Sequence, residues 1–247
     1  MTTGKPIVLV ARRLPDAVEQ RLQSDYAPRL NAEDEIYSSE RLIELADGVS
    51  AIIPCHTERL SAEVIARLPD SVQAICSFSV GYDHIDLDAA RARGIRVTNT
   101  PDVLSNATAE IAMLLLLAAA RRAHEGAQML RTDTWADWSA IGQLGIEVTG
   151  KRLGIVGMGR VGQVMARRAR GFDMQIHYYN RHRLDPDLEQ GAVFHAELDS
   201  LLAQSQFLSI HCPATPETHH LLNAERLSRL PADAVVVNTA RGAVVDD

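Results

Sequence analysis

Three glycines in G-x-G-x-x-G spacing, Gly157, Gly159 and Gly162, directly follow the short apolar run Leu153–Val156. The run predicts a buried strand, and the apolar positions in Val161–Ala169 recur at helical spacing. Between a strand and a helix each glycine has a physical task. The first permits a tight turn, the second lets the backbone approach a pyrophosphate, and the third lets the helix pack against the strand. The helix N-terminus adds N–H groups and a positive dipole end, so we predict a dinucleotide-binding unit.

The end of the next predicted strand, Met174–Tyr179, indicates which dinucleotide binds. An NAD site usually carries an acidic residue about twenty residues after the glycines, where it accepts hydrogen bonds from the ribose 2′-OH. Here the strand is followed by Asn180, Arg181 and Arg183, with no acid before Asp185. Guanidinium groups suit a 2′-phosphate. We therefore expect NADP(H) to be preferred, with NAD(H) possible; the alternative is two solvated loop arginines.

Composition and charge exclude several classes of partner. The chain has 247 residues, 46% of them hydrophobic, enough for one large or two ordinary domains. A net charge of −7 argues against nucleic acid and anionic membranes. The N-terminus lacks the apolar run of a signal peptide, and the strongest run, Ile111–Ala120, is too short to span a bilayer. Cys55, Cys76 and Cys212 form no CxxC pair, and the histidines are scattered. We expect a cytoplasmic protein without a metal site.

Strands and helices alternate along most of the chain, which predicts an α/β protein with two doubly wound parallel sheets. We expect a flavodoxin-like domain at residues 1–99 and a Rossmann domain at residues 100–247, joined by a long helix. The predicted strands outside the glycine unit are Pro6–Val10, Tyr26–Leu30, Ala51–Pro54, Val72–Ser77, Ile95–Thr98, Ala192–His195, Gln206–Cys212 and Ala234–Thr239.

The joining helix is predicted over Pro101–Arg131 as a buried connector. Its expected apolar face includes Ile111, Leu114, Leu115, Leu117 and Ala118. The stretch after it carries two Trp and three Gly without a clear period, so we predict a loop that leads back to the glycine unit.

Ligands of doubly wound sheets sit outside the carboxyl ends of the strands. Four stretches fall at such ends: residues 54–57, 77–83, 211–216 and 238–242. In the second of them a glycine can free backbone N–H groups to bind an anion. In the fourth, Arg241 can bind a carboxylate through two parallel hydrogen bonds, unless it is an ordinary surface arginine.

Five motifs in order resemble the D-isomer-specific 2-hydroxyacid dehydrogenase family, and within it the glyoxylate/hydroxypyruvate reductases. They are SVGYDHID at 79–86, TPDVLSNATAEIAMLLLLAAARR at 100–122, LGIEVTGKRLGIVGMGRVGQ at 144–163, HCPATPET at 211–218 and VVNTARGAVVDD at 236–247.

The resemblance implies an N-terminal substrate domain, a C-terminal cofactor domain and a homodimer. It implies that the backbone N–H groups of Val80 and Gly81 hold the carboxylate of a small 2-oxo acid. It assigns Arg241 as the catalytic arginine, which binds the 2-oxo acid and polarises its carbonyl. The residues that it places around the cofactor are Thr108, Arg160, Val161, His211, Cys212, Pro213, Thr239 and Ala240.

The resemblance is not complete at one point. The family carries a proton-donating histidine and a partner glutamate after the arginine, and this chain stops at Asp247. Neither His211 nor His56 matches the position of that histidine. We therefore expect that these 247 residues alone do not catalyse turnover. The alternative is a non-catalytic dinucleotide-binding module whose cofactor occupancy controls a partner surface.

Overall fold

The computed structural model describes residues 4–246, and the chain divides into two compact units, Met1–Val103 and Leu104–Asp247. Each unit contains a five-stranded sheet whose strand pairs are all parallel. Parallel sheets need helical crossovers, which cover both faces and bury the strands. The alternating strands and helices of the sequence therefore build two α/β layers of the kind predicted.

The first unit has the strand order β2-β1-β3-β4-β5, the flavodoxin-like order that the sequence predicts. Side chains of Ser38, Ser61 and Asp86 cap three of its helices by accepting backbone N–H groups. The elements are β1 (Ile7–Val10), α1 (Asp16–Asp25), β2 (Ala27–Arg29), α2 (Ser39–Leu45), β3 (Ala51–Ile53), α3 (Ala62–Arg67), β4 (Ala74–Cys76), α4 (Leu87–Ala92) and β5 (Arg96–Thr98).

The second unit has the strand order β10-β9-β6-β7-β8, which places β6 and its glycine turn at the centre. The strand order reverses next to β6, as at the ligand-binding switch point of a Rossmann fold. The elements are α5 (Ser105–Ala120), α6 (Ala123–Arg131), β6 (Arg152–Val156), α7 (Arg160–Arg170), β7 (Gln175–Tyr179), α8 (Pro186–Glu189), β8 (Val193–His195), α9 (Leu198–Gln204), β9 (Phe207–Ile210), α10 (Ala224–Leu227) and β10 (Val235–Asn238).

The predicted joining helix is wrong in its continuity. Two helices, α5 and α6, occupy the region, and Arg122 between them has a left-handed backbone with φ of 53°. The Ala120 carbonyl accepts from the N–H of Ile146 at 2.7 Å. A side chain on Gly145 would lie 2.5 Å from the same oxygen, so the returning chain packs directly on the helix end. This contact is distant in sequence, and local periodicity therefore could not predict the break.

The predicted buried face of α5 is also wrong. Ile111, Leu114 and Leu115 are exposed, with relative accessibilities of 51%, 60% and 43%. The residues that α5 buries are Ala109, Ala112, Met113, Leu116 and Ala120. Residues 111–120 of α5 are all apolar, so along this part of the helix periodicity gives no basis for choosing the buried face. The exposed side of α5 is accordingly an apolar surface of the second unit.

Among residues 4–246, no helix is both long enough and apolar enough to cross a membrane.

Candidate functional site

Two of the three motif glycines are required by packing alone. Gly157 follows β6 with φ of 93°, and a side chain there would lie 2.6 Å from the backbone nitrogen of Cys212. A side chain on Gly162 would lie 2.3 Å from the Gly157 carbonyl oxygen. Both distances are too short for real carbon contacts. The predicted tight turn at Gly157 and close helix–strand packing at Gly162 are therefore confirmed.

Gly159 differs from the other two because the fold does not require a glycine there. Its φ is −78°, which any residue adopts, and a side chain on it would meet no atom within 4 Å. Gly159 caps the N-terminus of α7, whose first residues are Arg160 and Val161. Its bare backbone therefore borders open space beside the first N–H groups of a helix, a site suited to phosphates. The residues present fit a dinucleotide pyrophosphate.

Asn180 has a function that the sequence analysis missed. Its side-chain oxygen accepts from the backbone N–H of Met158 at 2.7 Å, which ties the end of β7 to the glycine turn. The side chain at the position of the usual acidic residue thus shapes the turn itself. The only sequence signal was its neutral polar type at a strand end.

The two arginines beyond β7 have different environments. Arg183 forms a two-pronged ion pair with Glu189, with nitrogen–oxygen distances of 2.9 and 3.0 Å. Glu189 is buried and also accepts from the Tyr178 hydroxyl, and Arg183 is the main cause that lowers the pKa of Glu189. Arg181 is exposed. The structure thus weighs against the expectation that Arg183 binds the cofactor and leaves Arg181 as the candidate.

His211 joins the ends of three strands. Its backbone N–H donates to Val156 at 2.8 Å, and its ring nitrogens lie 2.9 Å from the Ser209 hydroxyl and 3.3 Å from the Thr239 hydroxyl. Burial lowers the pKa of His211 to about 4. At neutral pH the ring is therefore uncharged and both nitrogens are hydrogen-bonded. Burial also raises the pKa of the neighbouring Cys212 thiol.

The loop after β10 is held by Asn238, which lies in the predicted strand-end stretch 238–242 but was given no role from the sequence. The Asn238 side chain donates to the Arg241 carbonyl at 2.8 Å and accepts from the Ala240 N–H at 2.9 Å. Arg241 is half-buried, and its guanidinium donates to the Ala240 carbonyl at 3.1 Å. The side chain of Asn238, at the end of β10, therefore holds the backbone of the loop that carries Arg241.

Most of the predicted cofactor residues lie along one edge of the second sheet. The turns after β6, β7, β9 and β10 meet there because these four strands are neighbours. Thr108 lies near the start of α5, and Pro213 is exposed in the loop after β9. Within residues 4–246, no three His, Cys, Asp or Glu side chains group as a metal ion requires.

The predicted anion site of the first unit lies after β4. The Val80 carbonyl accepts from Asn99 Nδ2 at 2.9 Å, and the Ser79 carbonyl accepts from the Thr100 N–H at 3.1 Å. The N–H groups of Val80 and Gly81 donate to no atom of the part of the chain that the structure describes. The turn thus directs its carbonyls into the protein and keeps N–H groups available.

Comparison with known proteins agrees with this arrangement. Residues 113–247 match the family model described as D-isomer specific 2-hydroxyacid dehydrogenase, NAD binding domain. A glycerate dehydrogenase from Hyphomicrobium methylovorum is 44% identical over 246 residues, 99% of this chain and 76% of the relative. The chain belongs to the D-isomer-specific 2-hydroxyacid dehydrogenase family. It is therefore an oxidoreductase with a nicotinamide-dinucleotide-binding domain.

Other members of this family share the sequence and the fold. A glyoxylate reductase from Thermococcus onnurineus is 41% identical over 248 residues, 98% of this chain and 73% of the relative. A Polaromonas protein of known structure aligns with a TM-score of 0.91 at 43% identity, over 98% of this chain and 76% of that one. The crystal structure of a glyoxylate reductase from Paecilomyes thermophila gives 0.86 at 35% identity, over 98% and 75%.

Proposed function

We propose that this dehydrogenase transfers hydride between NADP(H) and a small 2-oxo acid, with glyoxylate or hydroxypyruvate as substrate. The observation that carries the proposal is the open backbone cradle at Gly159, which folding alone does not require. The names of the relatives support the substrate class. Reduction of glyoxylate gives glycolate, and oxidation of glycerate at its second carbon gives hydroxypyruvate, so both named reactions interconvert a small 2-hydroxy acid and its 2-oxo acid.

In this proposal the first unit is the substrate domain and the second is the cofactor domain. The N–H groups of Val80 and Gly81 receive the substrate carboxylate. Arg241 binds the 2-oxo acid and polarises its carbonyl. The bound cofactor supplies the hydride. The proposed cofactor-lining residues are Thr108, Gly157, Gly159, Arg160, Val161, Gly162, Asn180, Arg181, His211, Cys212, Pro213, Thr239 and Ala240.

The function is tested by following NADPH oxidation with glyoxylate, hydroxypyruvate and pyruvate as acceptors. We expect the full product of the gene to turn over glyoxylate or hydroxypyruvate within the usual enzyme range of about 1–10³ s⁻¹. A folded protein that oxidises NADPH with none of the three acceptors would contradict the proposal.

Protonation of the alkoxide needs a positioned general acid, which contributes roughly 10²–10⁴-fold to such a reaction. His211 does not fit this role, because burial lowers its pKa to about 4 and both of its ring nitrogens are hydrogen-bonded. We therefore expect His211→Ala to lose less turnover than the roughly 10²-fold that removal of a general acid costs. The same assay makes the measurement, and a larger loss would identify His211 as the acid.

The preference for NADPH is proposed to rest on Arg181. Hydrogen bonds to charged groups contribute roughly 1.5–3 kcal/mol, about 10- to 150-fold in affinity. We expect Arg181→Ala to weaken NADPH binding by this factor and to leave NADH binding within about twofold. Arg183→Ala is the matched control, because its guanidinium pairs with Glu189. Arg183→Ala should lower the stability of the protein and leave the ratio of its NADPH and NADH affinities close to that of the parent. Equal affinities of the parent protein for the two cofactors would refute the preference.

A homodimer is proposed through the exposed apolar surface of the second unit. Besides the outer face of α5, the segment after α6 exposes Trp135, Trp138 and Ile141, the last two at 79% and 84%. Contiguous exposed apolar patches mark interaction sites. A second copy supplies the matching surface by two-fold symmetry.

The family membership supports an enzyme over the non-catalytic dinucleotide-binding module. A cytoplasmic location stays a prediction from the free cysteines.

The dimer is tested by sedimentation velocity. We expect the parent to sediment as a dimer, and Leu114→Glu to shift it toward monomer because a buried unpaired charge is costly. Val193→Glu is the control, since Val193 is exposed on the edge strand β8. Monomeric parent protein at micromolar concentration would contradict the proposal.

A further inference from the structure

The turn Ser79–Tyr82 has three successive carbonyl groups anchored by the protein. The carbonyl of Ser79 accepts from the Thr100 N–H, and the carbonyl of Val80 accepts from Asn99 Nδ2. The third, the carbonyl of Gly81, accepts from the hydroxyl of Ser79. Each of the three peptide planes is therefore fixed by a separate hydrogen bond.

Anchoring these carbonyls also orients the N–H groups that follow them. A trans peptide plane holds its C=O and the next N–H on opposite sides. The anchors on Ser79, Val80 and Gly81 thus direct the N–H groups of Val80, Gly81 and Tyr82 away from the anchoring atoms. None of these three N–H groups donates to another atom within residues 4–246. Successive backbone N–H groups left available in this way bind anions.

Each serine hydroxyl has one proton to donate, and this fixes which group donates and which accepts in the side-chain network behind the turn. The Ser79 hydroxyl spends its single proton on the Gly81 carbonyl, so it must accept from the Ser77 hydroxyl, 2.7 Å away. Ser77 has then spent its own proton and must accept from Nε2 of His84 at 3.2 Å. Ser77 and His84 are both buried. The hydrogen bonds therefore run from His84 through Ser77 and Ser79 to the turn, and Nε2 of His84 carries a proton.

We propose that Asn99 and the chain His84–Ser77–Ser79 are positioning residues for an anion-binding turn that uses the N–H of Tyr82 together with those of Val80 and Gly81. They act on the ligand through the backbone of the turn. That the anion is the carboxylate of a 2-oxo acid rests on the proposed function; the turn itself recognises any small carboxylate.

The test measures carboxylate binding directly, through the amide NMR signal of Gly81 during titration with oxalate in the presence of NADPH and with glyoxylate in the presence of NADP⁺. Asn99→Ala and Ser79→Ala should each weaken binding about tenfold or more, since hydrogen bonds to a charged group are lost or misdirected. Ser79→Thr keeps the hydroxyl and should stay within about threefold of the parent. NADPH affinity should change less than twofold in all three variants.

Ser61→Ala is the matched control for loss of stability in the same unit. It removes the cap of α3, which accepts from the Val64 N–H, and so lowers the melting temperature without reaching the turn. Its oxalate affinity should equal that of the parent. In the full gene product the KM for the 2-oxo acid should rise in Asn99→Ala while the KM for NADPH stays constant.

The results of these experiments distinguish a failure of the anion-binding inference from a failure of the proposed reductase function. Parent-like oxalate binding in Asn99→Ala and Ser79→Ala overturns the inference and leaves the reductase assignment standing. Loss of oxalate binding in both variants, in a protein that reduces no 2-oxo acid, supports the inference and refutes the substrate class. A parent protein whose Gly81 signal responds to neither anion overturns the inference.

Discussion

Replacing Arg241 with alanine is expected to remove most of kcat/KM for the 2-oxo acid, while cofactor affinity changes little. Truncating one partner of a hydrogen-bonded charge pair costs about 2–5 kcal/mol, or roughly 30-fold to several thousand-fold. The loop that carries Arg241 is fixed by both side-chain hydrogen bonds of Asn238, so the guanidinium is offered from a rigid support. Such pre-organisation increases the loss on truncation, since a group that is already held in place gives up little entropy when it binds the substrate.

Two further variants test whether the loss of activity is specific to the guanidinium of Arg241. Arg241→Lys retains the charge but cannot form two parallel bonds to a carboxylate, and we expect it to recover only part of the activity. Arg229→Ala is the control, because Arg229 forms surface ion pairs with Asp199 and Glu225 and should leave kcat/KM unchanged. Steady-state kinetics of the full gene product at saturating NADPH make the measurement. A change of only a few-fold in Arg241→Ala would return Arg241 to the class of surface arginines.

The strands were predictable because their signal is local. Every predicted strand is present, and the fold class follows from their alternation with helices. Runs such as Leu153–Val156 are apolar, bounded by turn residues and too short for helices, so neighbouring residues suffice to identify them. The glycine unit was predictable for the same reason, because its strand, turn and helix are contiguous.

Features that depend on distant contacts were not predictable. The break at Ala120 depends on Gly145 and Ile146. The outward face of α5 depends on what packs against a helix whose residues 111–120 are all apolar. The different environments of Arg181 and Arg183 follow from the four-residue helix α8, too short to leave a periodic signal, which supplies Glu189. Such contacts determine which of several chemically similar side chains is available at the candidate site.

Gly159 is proposed to serve cofactor binding and Gly162 serves folding, so substitutions at the two glycines should have different effects. Gly159→Thr should leave the melting temperature within a few degrees of the parent, because threonine caps helices about as well as glycine and a Cβ at this position meets no atom within 4 Å. It should weaken NADPH binding about 10- to 150-fold, the range for losing hydrogen bonds to a charged group, because the side chain fills the space of the pyrophosphate.

Gly162→Ala should give the opposite pattern. Its new carbon would lie 2.3 Å from the Gly157 carbonyl, so the helix must shift from the strand. Overpacking of this kind costs about 1–3 kcal/mol and lowers the melting temperature by several degrees. Differential scanning calorimetry and NADPH titration of both variants make the comparison. If Gly159→Thr binds NADPH as tightly as the parent, the open space at Gly159 is not the phosphate site. The proposed function then loses the observation that carries it.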